Sequence, residues 1–401
     1  MIKQRRLTVL SVAILLALLV SAALPFAALA DDGVPPADVP VVEEVTPPAV
    51  EEPLTVPEIL DQLPEDTALV VVDQNGEALP LASADAAEAL VAPDPYFEIG
   101  GVRYEFTALD CDPDTAGDQA CGNPIQAAFN YLTDNDLTPD SGLITVEAGT
   151  YTEDVTVDGS RWENQPLSLR LIGEDGSDNT ILDGYFDLYN FSGDFNLTGF
   201  TINDFVSLDA GGSVGVSDLV MDGNGLTVAS GLAATLDDVT VRNNDGYGAE
   251  VYANGDVTIT GGDFSDNESS GIFIESYYGD AVLTDVNATG NYFGYGAEVY
   301  ADGNVTVNGG NFSDNDYDGI YSYSNGDTVL TDVNATWNYG NGAEVYADGN
   351  LTVNGGDFSY NDYDGIYAYS YYGDAVLTDV NATWNYGYGA EVYADGNVTV
   401  N

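Results

Sequence analysis

GAEVYADGNVTVNGGNFSDNDYDG, residues 296–319, decides how this chain folds. Its first five residues also begin at Gly248, Gly342 and Gly389, so the successive spacings are 48, 46 and 47 residues. A fixed period of this length marks a solenoid. Each unit also holds a half-repeat. Gly271-Ile-Phe-Ile-Glu, Gly319-Ile-Tyr-Ser-Tyr and Gly365-Ile-Tyr-Ala-Tyr stand where Gly-Ala-Glu-Val-Tyr stands in the other half, which sets the coil at 23 to 24 residues. Within a coil, segments such as Asp256-Val-Thr-Ile-Thr and Asp280-Ala-Val-Leu-Thr alternate apolar and polar residues and are separated by Gly, Asn and Asp. Period two means strand, and two or three strands per coil with turns between them mean a β-helix. No Pro follows Pro166, as expected where every inner strand must both give and accept ladder hydrogen bonds. The Leu and Asn consensus of a leucine-rich horseshoe is absent.

One Asn recurs at 244, 267, 291, 315, 338, 361 and 385. Stacked in adjacent coils, these side chains are expected to hydrogen-bond as a ladder inside a turn. Less regular coils extend the solenoid back to Leu143, giving eleven or twelve coils and a rod of roughly 50 to 60 Å. Before them, Asn123-Pro124-Ile-Gln-Ala-Ala-Phe-Asn-Tyr-Leu132 predicts an amphipathic helix, with Asn123 as its N-cap and Pro124 at its first position. Its apolar face would cover the open first coil. Asn401 falls inside a repeat unit that earlier copies complete, so the solenoid is expected to continue beyond it.

The N-terminus reads as an export signal over residues 1–30. Lys3, Arg5 and Arg6 precede an apolar run from Leu7 to Leu24, and Ala28-Leu29-Ala30 is a small-residue cleavage site. Residues 31–57 are a Pro- and acid-rich spacer without aromatic residues. Residues 58–95 form a small α+β module, 96–142 an N-terminal cap, and 143–401 the β-helix. Cys111 and Cys121, ten positions apart in an exported chain, are expected to form one disulfide before the capping helix.

The chain has 67 Asp plus Glu against 7 Lys plus Arg, no His, and a formal net charge of -60. A polyanion of this size repels phosphate backbones, so nucleic acid is excluded as a partner. Without imidazole there can be no Ser-His-Asp or Cys-His system and no His-ligated zinc. Any chemistry must use carboxylates, Tyr, the few Arg, or a metal held by oxygen. No membrane contact beyond the export signal is expected.

The helix at Ile125-Gln-Ala-Ala, the strand and turn Ile144-Thr-Val-Glu-Ala-Gly-Thr-Tyr-Thr-Glu153, and Leu169-Arg-Leu-Ile-Gly173 leading to Thr180-Ile-Leu-Asp-Gly184 together resemble the start of the right-handed parallel β-helix, or pectin lyase-like, superfamily. The Asn-x-x-x-Gly coils resemble its generic repeat, and the likeness covers roughly two thirds of the chain. It implies an all-β right-handed solenoid with an N-terminal capping helix. The superfamily includes uronate lyases, esterases, hydrolases, epimerases, tailspikes and surface proteins without a reaction. Gly149-Thr-Tyr-Thr-Glu153 is similar to the first motif of its pectin methylesterases, but the remaining esterase motifs are missing. Its polygalacturonases and epimerases lean on His motifs, absent here. A pectate-lyase-like site would need calcium on carboxylates and an Arg, yet Arg161, Arg170 and Arg242 stand in no such motif.

The outward strand positions form two columns when the coils are stacked. One reads Glu250, Phe273, Glu298, Tyr321, Glu344, Tyr367, Glu391; its neighbour reads Tyr252, Glu275, Tyr300, Tyr323, Tyr346, Tyr369, Tyr393. Tyr rings about 4.8 Å apart with interleaved carboxylates could stack on sugar rings and hydrogen-bond their hydroxyls; equally, they could stack only on one another. Asp314, Asp316 and Asp318 have the D-x-D-x-D-G form of a calcium loop, though without the distal bidentate Glu; as turn formers they would have the same spacing. Calcium is thus a candidate ligand but not a required cofactor. The sequence favours a secreted or cell-surface rod for adhesion or glycan contact, without catalysis. The alternatives are a calcium-assisted enzyme on uronate polysaccharide and a structural, salt-adapted surface-layer repeat.

Overall fold

The computed structural model describes residues 95–106 and 122–401, all within the compact unit Leu81–Asn401. The export signal, the spacer, almost all of the small module, and Cys111 and Cys121 lie outside the described residues.

Two parallel sheets make up the solenoid, one of sixteen strands and one of eleven. Each coil gives one strand to the second sheet, and pairing there is in register from coil to coil: Ala249 faces Ile272, Ile272 faces Ala297, and Ala297 faces Ile320. Antiparallel pairing occurs only at the start, where the hairpin β1 (Tyr96–Ile99) and β2 (Val102–Glu105) adds to β3 (Leu143–Val146). Helix α1 (Pro124–Asp134) closes the same end. It buries Ile125, Ala128, Phe129 and Leu132, and Phe129 meets Phe186 edge-on at 6.0 Å.

The N-cap of α1 differs from the expectation. Asn123 makes no side-chain capping bond. Instead Glu153, at the end of the Gly-Thr-Tyr-Thr-Glu motif, accepts from Ile125 N and Gln126 N, each at 2.9 Å. A carboxylate with two oxygens satisfies two of the helix's orphan donors at once, which one Asn side chain cannot do. Gln126 then ties α1 to the first coil through Thr156, whose N donates to Oε1 at 2.6 Å and whose O accepts from Nε2 at 3.0 Å.

Inside the regular coils large and small residues alternate. Phe264, Phe312 and Phe358 share a column with Ala288 and Ala335, all fully buried. Phe coils carry Gly-Gly at the preceding corner, while Ala coils carry Asp-Val, so volume is conserved over each pair of coils. The Asn ladder is present: Asn267, Asn291, Asn315 and Asn338 are buried, and each backbone N–H and side-chain amide donates to the Oδ1 of the next Asn along.

The corners turn on left-handed residues. One column runs Asp238, Gly261, Asp285, Gly309, Asp332, Gly355, Asp379, all at positive φ. A second lies immediately before the ladder Asn and runs Asn243, Asp266, Gly290, Asp314, Trp337, Tyr360, Trp384. From Phe186 to Val206 to Leu226 the coil is 20 residues long; from Leu226 to Ala249 it lengthens to 23, when the loop carrying the Asn ladder appears. The regular half of the solenoid therefore has a corner that its earlier coils lack.

A tyrosine and carboxylate face with a corner groove

The two outward columns stand as the period dictates. Glu250, Phe273, Glu298, Tyr321, Glu344, Tyr367 and Glu391 are successive register partners, as are Tyr252, Glu275, Tyr300, Tyr323, Tyr346, Tyr369 and Tyr393. The rings, however, do not run straight up one column, apart from Tyr369 and Tyr393 at 5.8 Å. They alternate: Tyr252, Phe273, Tyr300, Tyr321, Tyr346, Tyr367 and Tyr393 follow one another at 5.6 to 6.2 Å, each tilted by roughly 50° to the next. Glu on alternate coils of the first column leaves Phe273, Tyr321 and Tyr367 with no ring directly above or below, so these rings meet second-column rings on the diagonal.

Below this herringbone, each of four tyrosines donates its hydroxyl to the Glu two residues earlier: Tyr252 to Glu250 at 3.1 Å, Tyr300 to Glu298 at 3.0 Å, Tyr346 to Glu344 at 2.7 Å, and Tyr393 to Glu391. Burial, with the adjacent carboxylate, holds the phenols of Tyr252, Tyr300 and Tyr346 well above the usual range, so they remain donors. Burial also raises Glu298, against the opposing effect of the Tyr300 bond. The carboxylates of the Glu coils are two strands apart, about 10 Å.

A groove of about 490 Å³ opens where this face meets the corner loops. Tyr295, Tyr339 and Tyr363 line it with Asp318, Asn341 and Glu344. Asp318 is buried to 6% exposure, and its carboxylate accepts from Asn341 N in the next coil. Its pKa is pushed up to about 7, first by loss of solvent and further by Glu344. Glu344 accepts from Asn341 Nδ2 at 2.9 Å as well as from Tyr346. A carboxyl raised in this way beside an engaged second carboxylate has the character a proton donor in a cleft would need.

The three residues of the calcium-like loop are put to three uses. Asp314 is exposed and holds a left-handed turn at φ 60°, Asp316 accepts from Phe293 N in the preceding coil at 3.2 Å, and Asp318 is the buried carboxyl of the groove. Among the described residues, no three Asp, Glu, Cys or His side chains gather closely enough to hold a metal ion. The arginines lie elsewhere. Arg161 pairs with Asp134 at 2.5 Å, Arg170 donates to Ser141 O, Arg242 pairs with Asp222 at 3.5 Å, and Arg103 lies over the Tyr96 ring. No basic residue follows Arg242 in the sequence, so the groove has no cation to offset its carboxylates.

Tyr295, Tyr339, Tyr363 and Asn341 stand in neither outward column, so the strand period does not pick them out. The available signal was the position around each ladder Asn, since all four fall within four residues of one.

Solved structures similar to this chain include two A-modules of Azotobacter vinelandii mannuronan C-5 epimerases. AlgE4 is 17% identical with a TM-score of 0.44, over 69% of this chain and 90% of that one. AlgE6 is 16% identical with a TM-score of 0.45, over 70% of this chain and 97% of that one. Comparison with curated protein sequences gives no match. The family model for the right-handed β-helix region matches residues 188–329, 219–373 and 279–401, which together span more than half of the sequence. With two parallel sheets wound coil upon coil, the chain belongs to the right-handed β-helix family.

Proposed function

We propose that this protein is an exported, non-catalytic rod that contacts glycans through its Tyr and Glu face. The observation that carries the reading is the unbroken herringbone from Tyr252 to Tyr393, with a hydrogen-bonded Glu on every second coil. Aromatic edges and carboxylates repeated at coil spacing suit a long, repetitive ligand better than a small one, because a repeated surface supplies many equivalent shallow contacts. The test is co-sedimentation of the purified protein with a panel of insoluble and gelled polysaccharides, with calcium and with chelator, while newly formed chain ends are scored. Binding without new ends, lost in Tyr323→Ala/Tyr346→Ala, supports it.

A second reading is a polysaccharide-active enzyme, favoured by the buried Asp318 beside Glu344. Asp318 would act as the acid and Glu344 as the base or charge stabiliser. New chain ends that disappear in Asp318→Asn would establish this reading and overturn the first.

A further inference from the structure

The column before the ladder Asn changes character in the last three regular coils. Asn243, Asp266, Gly290 and Asp314 are residue types that accept a left-handed backbone, but Trp337, Tyr360 and Trp384 hold the same conformation at φ 63°, 63° and 64°. A bulky L side chain adopts this backbone only at an energetic cost. Core burial does not offset the cost, since these side chains are 58%, 42% and 79% exposed.

What the arrangement creates is a platform. Trp337 and Tyr360 stack at 4.5 Å with their planes 3° apart. They occupy equivalent positions in consecutive coils, so the stacking direction follows the coil axis. The other face of Trp337 therefore looks onto the preceding coil, where the same column carries Asp314. Asp314, Trp337, Tyr360 and Asp362 line a cavity of about 320 Å³ on this corner. It is distinct from the groove at Asp318, sharing only Tyr339 with it.

Flat rings beside two carboxylates, on a chain with no basic residue after Arg242, define the ligand by its chemistry. It needs a ring face to lie on the indole and a positive charge for the carboxylates and the ring quadrupole. A uronate unit has the ring but the wrong sign, and a neutral sugar could donate its hydroxyls to Asp314 and Asp362 but would leave their negative charge uncompensated. We propose that this corner binds the protonated hexosamine units of an amino-sugar polymer. The inference rests on the reading of the protein as a glycan-contact rod and names the glycan.

Calorimetry of the full-length protein with hexamers of glucosamine, N-acetylglucosamine and galacturonate, below the pKa of the amine, tests it. The glucosamine hexamer should bind and quench Trp emission. Trp337→Gly should weaken binding at least tenfold while leaving thermal unfolding unchanged or raising its midpoint, because Gly accepts the left-handed φ. Trp337→Asn, the residue type at Asn243, is the second variant should Gly fail to fold. Asp314→Asn/Asp362→Asn should weaken binding several-fold and flatten its salt dependence. Unchanged binding in the Trp337 variants overturns the site. Equal binding of the acetylated hexamer overturns the cationic assignment and leaves the glycan reading intact. Oligolysine bound as tightly as the glucosamine hexamer would make a basic peptide the ligand instead. Failure of every glycan, including the polysaccharide panel, removes both readings together.

Discussion

Asp285 lies across Gly309 of the next coil: a Cβ added at Gly309 would sit 2.4 Å from Asp285 Oδ1. The same relationship joins Asp238 to Gly261 at 2.4 Å and Asp332 to Gly355 at 2.2 Å. This explains why the sequence repeats most closely every 46 to 48 residues although the coil is half that length. From Asp238 onward each Asp of this corner column has a Gly above it, so two kinds of coil alternate.

Gly309→Ala should therefore be destabilising by about 1–3 kcal/mol, combining the φ of 67° with the clash. Adding Asp285→Ala should recover the steric part and not the conformational part. Urea unfolding of the two single variants and the double variant measures the coupling; strict additivity would show that Asp285 and Gly309 do not compete for space.

Asn315→Ala should cost about 3 kcal/mol. Asn291 N and Nδ2 both donate to Asn315 Oδ1 at 3.0 Å, and both would lose their acceptor inside a buried turn. Asn304→Ala, at an exposed corner, should cost far less, since water can replace its partners. Equal losses at the two positions would mean that the buried ladder adds nothing beyond a turn contact.

Ser322→Ala should stabilise the protein by about 1 kcal/mol. Ser322 is fully buried between Val299 and Val345, and its hydroxyl has no hydrogen-bond partner. A lowered thermal midpoint in this variant would show that the hydroxyl is satisfied in solution.

Stability should fall as pH rises from about 5 to 8. Burial pushes both Glu153 and Asp318 up to about 7, above their ordinary values of 4.5 and 3.8. Between those values and 7 the folded chain holds protons that the unfolded chain has released. Their contribution is thus complete at the acid end and is lost as pH climbs through the folded pKa. Glu153→Gln and Asp318→Asn should each flatten the dependence of thermal midpoint on pH, and an unaltered slope in both would place the titrating groups elsewhere.

Much of this architecture was legible because it is local and periodic. Alternation fixed which residues of Gly-Ala-Glu-Val-Tyr point outward, and counting the coil length placed Glu298 beside Tyr321 and Tyr300 beside Tyr323. The Asn ladder followed from the same count. The alternating ring chain did not, because which ring meets which depends on side-chain tilt and not on register alone.

Sequence by itself thus determined the coil, the strand faces, the acidity of the surface and the absence of imidazole chemistry, all consequences of residue type and period. Tertiary structure decided three things. It gave Glu153, rather than Asn123, the capping of α1 from 27 and 28 residues away. It set Asp318 beside Asn341 and Glu344 of the following coil, where loss of water raises its pKa. It also laid Trp337 on Tyr360. Each depends on where a corner loop points its side chains, and that direction is set by left-handed residues and by the coil stacked next to them, neither of which period two or a 23-residue count encodes.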